Sequence, residues 1–127
     1  MHWVFTPDAP IYLQVVRQLE QMIASGMLAP GDRLLSVRDF ASQANVNPNT
    51  MQKALTELEN RGIVYSKRTS GRFITDDPER ISKLREELAE KEITAFLGAM
   101  KRLGYSESEA ARLISEKNSG REQTEQT

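Results

Sequence analysis

Two helix-start signals follow one another near the middle of the chain. Ser36 stands three residues before Asp39, the spacing of a capping box, and predicts a short helix over residues 37–43. Asn47 precedes Pro48, which places a favoured N-cap residue before a residue type that suits the first helical position. A short helix is therefore joined to a longer one by about three residues, which predicts a helix-turn-helix unit.

A further helix is predicted before this unit. After Pro10, apolar residues recur at helical spacing as far as Ile23, and Gly26 marks the end of the helix. The longer helix of the helix-turn-helix likewise has one apolar face, and it ends at Gly62. Three helices with one apolar face each predict a small helical core.

The pattern changes beyond Gly62. Residues 63–67 and 72–75 are two short runs of high β-propensity, and the basic turn of residues 68–71 separates them. This arrangement predicts a β-hairpin. Because a hairpin that follows a helix-turn-helix is called a wing, we expect residues 1–75 to form a winged helix-turn-helix in a fold that is mainly α with one small hairpin.

The last part of the chain is predicted to be helical. Pro78 starts a helix of about 25 residues, and a capping box of Ser106 and Glu109 starts a short last helix. We expect residues 76–117 to form a helical dimerisation region and residues 118–127 to form a disordered tail. Since this region is too small to enclose a pocket of roughly 300 Å³ or more, we expect no sensor domain, and the sequence identifies no small-molecule effector.

The long helix carries an apolar stripe that predicts a dimer interface. Packing within one monomer is the other interpretation of this stripe, and both can hold for different parts of it. The predicted interface residues are Ile81, Leu84, Leu88, Phe96, Met100 and Leu103.

The composition excludes several classes of protein. The chain has no cysteine and one histidine, His2, so it cannot build a disulfide scaffold, a histidine-based triad or a multi-histidine metal centre. It offers no nucleophile–base pair or phosphate-binding loop, so we expect neither an enzyme nor a cofactor. No apolar run approaches the roughly 18–20 residues that span a bilayer, and no signal peptide is evident. We therefore expect a cytoplasmic protein that does not contact a membrane.

Basic residues are concentrated in the predicted winged helix-turn-helix. The formal net charge is −1, but residues 1–75 carry eight Lys and Arg against six Asp and Glu, and residues 76–127 carry nine against twelve. This excess suits a surface that contacts phosphate, although a mixed solvated surface gives similar counts.

The longer helix of the unit is suited to the major groove of DNA. Such a helix contacts base edges with its N-terminal residues, while the preceding helix contacts the backbone. The side chains that we predict to contact DNA are Arg38, Asn49, Thr50, Gln52, Lys53, Lys67, Arg68 and Arg72.

Some of these residues have a purely structural alternative. Asn47 can serve as a helix cap instead of contacting a base, and Thr50 can bond the backbone of the first turn instead of DNA. Lys53 can be a solvated charge, and we interpret Arg33 and Arg61 as surface charges.

The order of these residues resembles a known family. Its elements in this sequence are Pro10-Ile11-Tyr12, Gly26, Pro30-Gly31-Asp32-Arg33-Leu34, Ser36-Val37-Arg38, Val46-Asn47-Pro48-Asn49-Thr50, Ala54, Leu58-Glu59, Gly62 and Phe73. Over half of the chain they resemble the DNA-binding domain of GntR-family bacterial transcription regulators. The short C-terminal region resembles the YtrA-type subfamily.

The resemblance implies a winged helix-turn-helix, a small helical dimerisation region and repression of operons that often encode ABC transporters. It implies DNA contact by Ser36, Arg38, Asn47, Asn49, Thr50 and the wing residues Arg68, Thr69, Ser70 and Gly71. The chain departs from the family at two places. Leu35 stands where a proline is usual, and the wing keeps one glycine where two usually flank one residue.

We expect a sequence-specific repressor that binds double-stranded DNA as a homodimer at an inverted-repeat operator. A lone recognition helix reads few base pairs, and a two-fold dimer needs a symmetric site. The alternative is a winged-helix module that binds other proteins, because the same fold serves both purposes.

Overall fold

The computed structural model describes residues 2–125. Over that range the chain forms five α-helices and one antiparallel hairpin, as the sequence predicted. The elements are α1 (Ile11–Ala24), α2 (Val37–Ala44), α3 (Pro48–Asn60), β1 (Val64–Lys67), β2 (Gly71–Ile74), α4 (Pro78–Arg102) and α5 (Glu107–Glu125). None of the helices in this range is both long and apolar enough to cross a membrane.

Both predicted helix starts form through side-chain caps. Ser36 Oγ accepts a hydrogen bond from the backbone N–H of Asp39 at 3.2 Å, and Asn47 Oδ1 accepts one from the N–H of Asn49 at 2.7 Å. Between them, Asn45 ends α2 in the left-handed conformation with φ 56°, which asparagine tolerates better than most residues. The short helix-to-helix connection is therefore fixed by three local polar side chains.

The core of the first unit lies where α1, α2 and α3 pack. Large apolar side chains from each helix are fully buried there, among them Leu19, Phe40, Met51, Leu55 and Leu58. Burying a side chain of this size contributes roughly 1.5–3 kcal/mol, so these contacts are what hold α3 against α1 and α2.

An N-terminal arm runs extended along α1. Gln14 and Gln18 each exchange two hydrogen bonds with the backbone of the arm, at Thr6 and Val4 respectively, over 2.8–3.0 Å. Gln14 and Gln18 are four residues apart on the helix, and their partners Thr6 and Val4 are two residues apart on the extended arm. Both separations are about 6–7 Å, so each glutamine lies opposite its own partner. The arm places the ring of Trp3 edge-on to Phe40 of α2.

The hairpin pairs Val64 with Ile74 and Lys67 with Gly71. A third, irregular segment also pairs with β2 and forms a further edge of the sheet. The segment of residues 31–34 runs antiparallel to β2, with an isolated bridge between Arg33 and Phe73. The pairing of residues 31–34 with β2 could not be predicted from the sequence, because the partners lie about forty residues apart in the chain and local patterns carry no signal for such pairing.

The chain divides into two compact units between Glu86 and Glu87, rather than at residue 75. The first turns of α4 belong to the first unit: Arg80 Nε donates to the carbonyl of Arg61 at the end of α3 over 2.9 Å. Leu84 is fully buried. The prediction that Leu84 lines a dimer interface is therefore wrong, because its own chain already covers it.

In the second unit, the capping box of α5 forms as predicted. Ser106 and Glu109 exchange side-chain-to-backbone hydrogen bonds at 3.1 Å. The helix then continues to Glu125, so the prediction of disorder from residue 118 is wrong over 118–125, and residues 126–127 lie outside the described range. After nucleation each added residue contributes one backbone hydrogen bond, which lets a helix extend once it has started.

Candidate nucleic-acid interface

The first two turns of α3 present their polar side chains to solvent. Asn49, Gln52 and Lys53 are exposed, and Thr50 is half-buried. Gln52 Nε2 lies 3.4 Å from Thr56 Oγ1 one turn further along, which is a weak contact that leaves the amide available. Donors and acceptors therefore line the start of this helix without being covered by the rest of the chain.

Asn47 is occupied as a helix cap. Its carbonyl oxygen accepts from the Asn49 N–H, so one of the two lone pairs of that oxygen is already used. This geometry agrees with the structural alternative given for Asn47 above. The cap also orders the first turn, and so it positions Asn49 and Thr50.

Lys53 is held against an aromatic ring. Its Nζ lies 3.9 Å from the centroid of the Tyr12 ring on α1, a cation–π contact worth about 0.5–1 kcal/mol at an exposed site. Tyr12 and Ile11 line a concavity of about 430 Å³ together with Asn49, Thr50 and Lys53. Sequence reasoning placed Tyr12 only within a family pattern, because nothing local shows that α1 and the start of α3 lie side by side.

The start of α2 adds a second polar surface within the first unit. Ser36 and Arg38 are both exposed, and the hydroxyl oxygen of Ser36 caps the helix. Among the side chains that the structure describes, those of residues 2–120, Arg38 has no ion-pair partner, so no described carboxylate neutralises its charge. Such a side chain is available for a phosphate.

The wing turn exposes every residue from Lys67 to Gly71. Two of these residues have positive φ: Gly71 at 104° and Thr69 at 69°. The two positive-φ residues flank Ser70, the same spacing as the glycine pair that the family resemblance leads one to expect. Thr69, a β-branched residue, thus occupies a backbone conformation that normally requires glycine.

The carboxylate of Glu59 on α3 forms hydrogen bonds with both strands of the wing. Glu59 of α3 accepts hydrogen bonds from Ser66 Oγ at 2.7 Å and from Arg72 Nε, which lie on opposite strands of the hairpin. Partial burial acts to raise the pKa of Glu59, but the hydrogen bonds from Ser66 and Arg72 and the charge of Arg72 outweigh it and lower the pKa. Arg72 is therefore committed partly to holding the wing, which sequence reasoning missed when it assigned Arg72 to DNA alone.

Arg61 is also paired within the chain. It contacts Glu20 at 3.2 Å and Glu57 at 2.9 Å. Partial burial acts to lower its pKa, but the bonds and charges of Glu57 and Glu20 raise it. Arg61 was interpreted as a surface charge, and the structure adds that it is paired with two carboxylates of its own chain.

Two of the six side chains in the stripe predicted as a dimer interface, Phe96 and Leu103, are exposed. In the second unit Phe96 is 39% exposed and Leu103 73% exposed, whereas Leu88 and Met100 are half-buried. In the first unit Ile81 is half-buried. Two further apolar residues, Ile93 on α4 and Ile114 on α5, are more than half exposed and were not in the predicted set.

Comparison with known proteins identifies the family. The sequence model of the bacterial regulatory proteins of the gntR family matches residues 11–74, which include the helix-turn-helix and the wing. The chain belongs to the GntR family. The prediction that it is a regulator with a winged helix-turn-helix, and not an enzyme, is thereby confirmed.

Relatives of this GntR chain include two proteins of Bacillus subtilis. The uncharacterized HTH-type transcriptional regulator YhcF is 39% identical over 105 residues, which are 83% of this chain and 87% of YhcF. The HTH-type transcriptional repressor YtrA is 40% identical over 70 residues, 55% of this chain and 54% of YtrA. Among solved structures, a GntR family transcriptional regulator from Listeria monocytogenes superimposes with a TM-score of 0.81 at 35% identity, over 88% of this chain and 98% of that one.

Proposed function

We propose that the chain is a cytoplasmic, sequence-specific DNA-binding repressor that acts as a homodimer on an inverted-repeat operator. The observation that carries the proposal is the start of α3, where Asn49 in the first turn and Gln52 and Lys53 in the second are exposed beside an ordered cap. A helix start of this kind fits the major groove, where each base pair presents a distinct set of donors and acceptors. The name of the relative YtrA supports the assignment as a repressor.

The proposed contacts fall into two groups. Asn49, Thr50, Gln52 and Lys53 face base edges, and Asn47 orders them through its cap. Contacts with phosphate come from the start of α2 and from the wing. Such contacts position the protein on the duplex but do not read the base sequence. The proposed phosphate contacts are Ser36, Arg38, Lys67, Arg68, Thr69, Ser70, Gly71 and Arg72.

We place the dimer contact on the exposed apolar face of α4 in the second unit. Phe96 and Leu103 are its most exposed predicted members, and Ile93 extends the same apolar surface. Apolar side chains this exposed are stabilised when a second copy covers them. A two-fold dimer then requires half-sites about 34–36 Å apart, or a multiple of that distance.

The test is a binding assay on fragments of the source genome selected by the protein. We expect the selected sites to share an inverted repeat, and contact with about six to ten phosphates to weaken binding by roughly 10³–10⁵ between 50 and 200 mM salt. Arg38→Ala should weaken binding to the selected fragment while the thermal midpoint stays unchanged.

Two results would count against the proposal. If the selected fragments share no symmetric site, the proposed inverted-repeat operator is wrong. If the affinity for DNA does not change with salt, the alternative of a winged-helix module that binds proteins is favoured. Equal affinity of Arg38→Ala and the unaltered chain would remove Arg38 from the interface.

A further inference from the structure

The third edge of the wing sheet is held by the backbone of residues 31–34. The N–H of Gly31 donates to Ile74 O at 3.0 Å, the N–H of Ile74 donates to Asp32 O at 2.9 Å, and the N–H of Leu34 donates to Arg72 O at 2.9 Å. These bonds fix the register that sets Arg33 opposite Phe73. The position of Arg33 is therefore determined by the sheet and not by a free loop.

The register places Arg33 on the outer face of that sheet. Residues directly opposite one another on antiparallel strands share a face, and side chains alternate along each strand. Phe73 is opposite both Arg33 and Tyr65, so these three share one face, and Lys67 joins them two residues beyond Tyr65. Val64 and Ile74 lie on the other face and are buried.

Side-chain contacts support this assignment independently of the register. The rings of Tyr65 and Phe73 stack with centroids 5.7 Å apart, and Lys67 Nζ lies 5.0 Å from the centroid of Phe73. The outer face is therefore a pair of aromatic rings beside two cations, Lys67 and Arg33.

The guanidinium of Arg33 lies over the bare backbone of Gly71 at the wing turn. A Cβ built on Gly71 would stand 3.3 Å from Arg33 Nε and 3.5 Å from Nη2, so the absence of a side chain there leaves room for the guanidinium. Arg33 is exposed, and it forms no ion pair with any of the side chains described for residues 2–120. By contrast, Arg61 and Arg72 are both paired with carboxylates in the same unit.

We infer that Arg33 binds a phosphate of the DNA backbone beside the wing. A guanidinium with free N–H donors recognises a phosphate through two parallel hydrogen bonds, and its position beside the wing turn gives it the same phosphates as Arg68. The inference rests on the proposed function, and it adds a contact that the sequence analysis interpreted as a plain surface charge. Arg33 then supplies a charge that Arg72 cannot supply fully, since Arg72 is paired with Glu59.

The test uses the 127-residue chain and a mixed-sequence DNA duplex of about 30 base pairs, since contacts with phosphate do not depend on sequence. Binding is measured by fluorescence anisotropy of the labelled duplex between 50 and 200 mM salt. The variants are Arg33→Ala, Arg33→Lys and, as a matched control, Arg17→Ala. Arg17 is an exposed arginine on α1 to which we assign no DNA contact.

We expect Arg33→Ala to weaken binding at low salt and to reduce the slope of log affinity against log salt by about one. Arg33→Lys should keep the slope, because the charge remains, while binding more weakly than arginine does. Arg17→Ala should match the unaltered chain, and the thermal midpoint of Arg33→Ala should not change.

Three outcomes would overturn the inference. The first is an unchanged affinity and slope for Arg33→Ala, and the second is an equal loss in Arg17→Ala. The third is weaker binding accompanied by a lower thermal midpoint and an unchanged slope, which would make Arg33 a packing residue of the wing. If the unaltered chain itself shows no salt-dependent binding, the proposed function fails instead, so the two failures are distinguishable.

Discussion

Thr69 offers a sharp test of how the wing turn is built, because its φ of 69° is unfavourable for a β-branched side chain. Holding a residue other than glycine in the left-handed region costs roughly 1–2 kcal/mol. Replacing Thr69 with glycine removes this cost. Glycine also increases the conformational entropy of the unfolded chain, which cancels roughly 0.5–1 kcal/mol of the gain in stability. The hydroxyl bonds only the adjacent Arg68 carbonyl at an exposed position, so its loss matters little.

We therefore expect Thr69→Gly to raise the free energy of unfolding by about 0.5–1 kcal/mol, and the thermal midpoint by about 2–6 °C. Thr69→Asn should also stabilise, because asparagine tolerates this conformation and adds no glycine entropy to the unfolded chain. The measurement is thermal and urea unfolding followed by circular dichroism at one protein concentration, since dimer formation makes the midpoint depend on concentration.

Ser70→Gly is the matched control. Ser70 is the next residue of the same turn and does not have positive φ, so glycine there brings only its entropic cost and should destabilise by about 0.5–1 kcal/mol. If both glycine variants lower the midpoint by similar amounts, Thr69 is not strained, and the explanation of the missing glycine is refuted.

Three further predictions concern the core, the dimer and the fastening of the wing. Leu84→Ala should lower the free energy of unfolding by about 2–5 kcal/mol in urea titration; a folded chain of normal stability that no longer dimerises would contradict the burial of Leu84. Phe96→Asp should shift sedimentation towards the monomer while Thr94→Asp, an exposed residue on the same helix, does not; a Phe96→Asp dimer as tight as that of the unaltered chain would place the interface elsewhere. The lowered pKa of Glu59 means that its pair with Arg72 stabilises the fold above the usual glutamate pKa and stops doing so as the pH falls through the lowered value. Urea titrations at stepwise lower pH should therefore show a smaller acid loss in Glu59→Gln than in the unaltered chain, and parallel losses would disprove this role of Glu59.

The helix starts, the hairpin and the family were available from the sequence because their signals are local. Ser36 and Asn47 cap through atoms no more than three residues away, so the residue types and their spacing specify the helix-turn-helix directly. The wing was predictable for the same reason, since a turn that contains glycine between two β-prone runs specifies a hairpin. Family membership follows from the order of these local signals along the chain.

Contacts between distant segments could not be predicted in this way. Leu84 has the same apolar character and helical spacing as Phe96, yet it is buried while Phe96 is 39% exposed. Which turns of a continuous amphipathic helix are covered depends on what packs beside them, and periodicity alone does not contain that information. The stripe was therefore identified correctly as apolar but only partly as available to a second copy.

The roles of the arginines show the same division. The sequence does not distinguish the three arginines of the first unit that lie near the wing and the end of α3. In the structure Arg61 and Arg72 are paired with carboxylates, whereas Arg33 lies over Gly71 without an ion pair among the described side chains. Where helices and strands begin, and that a basic wing follows α3, is specified locally, because backbone hydrogen bonding and capping act over a few residues. Which charges remain available for DNA depends on folding, because a charge is neutralised by whatever side chain is brought within about 4 Å, however far apart the two residues are in the chain.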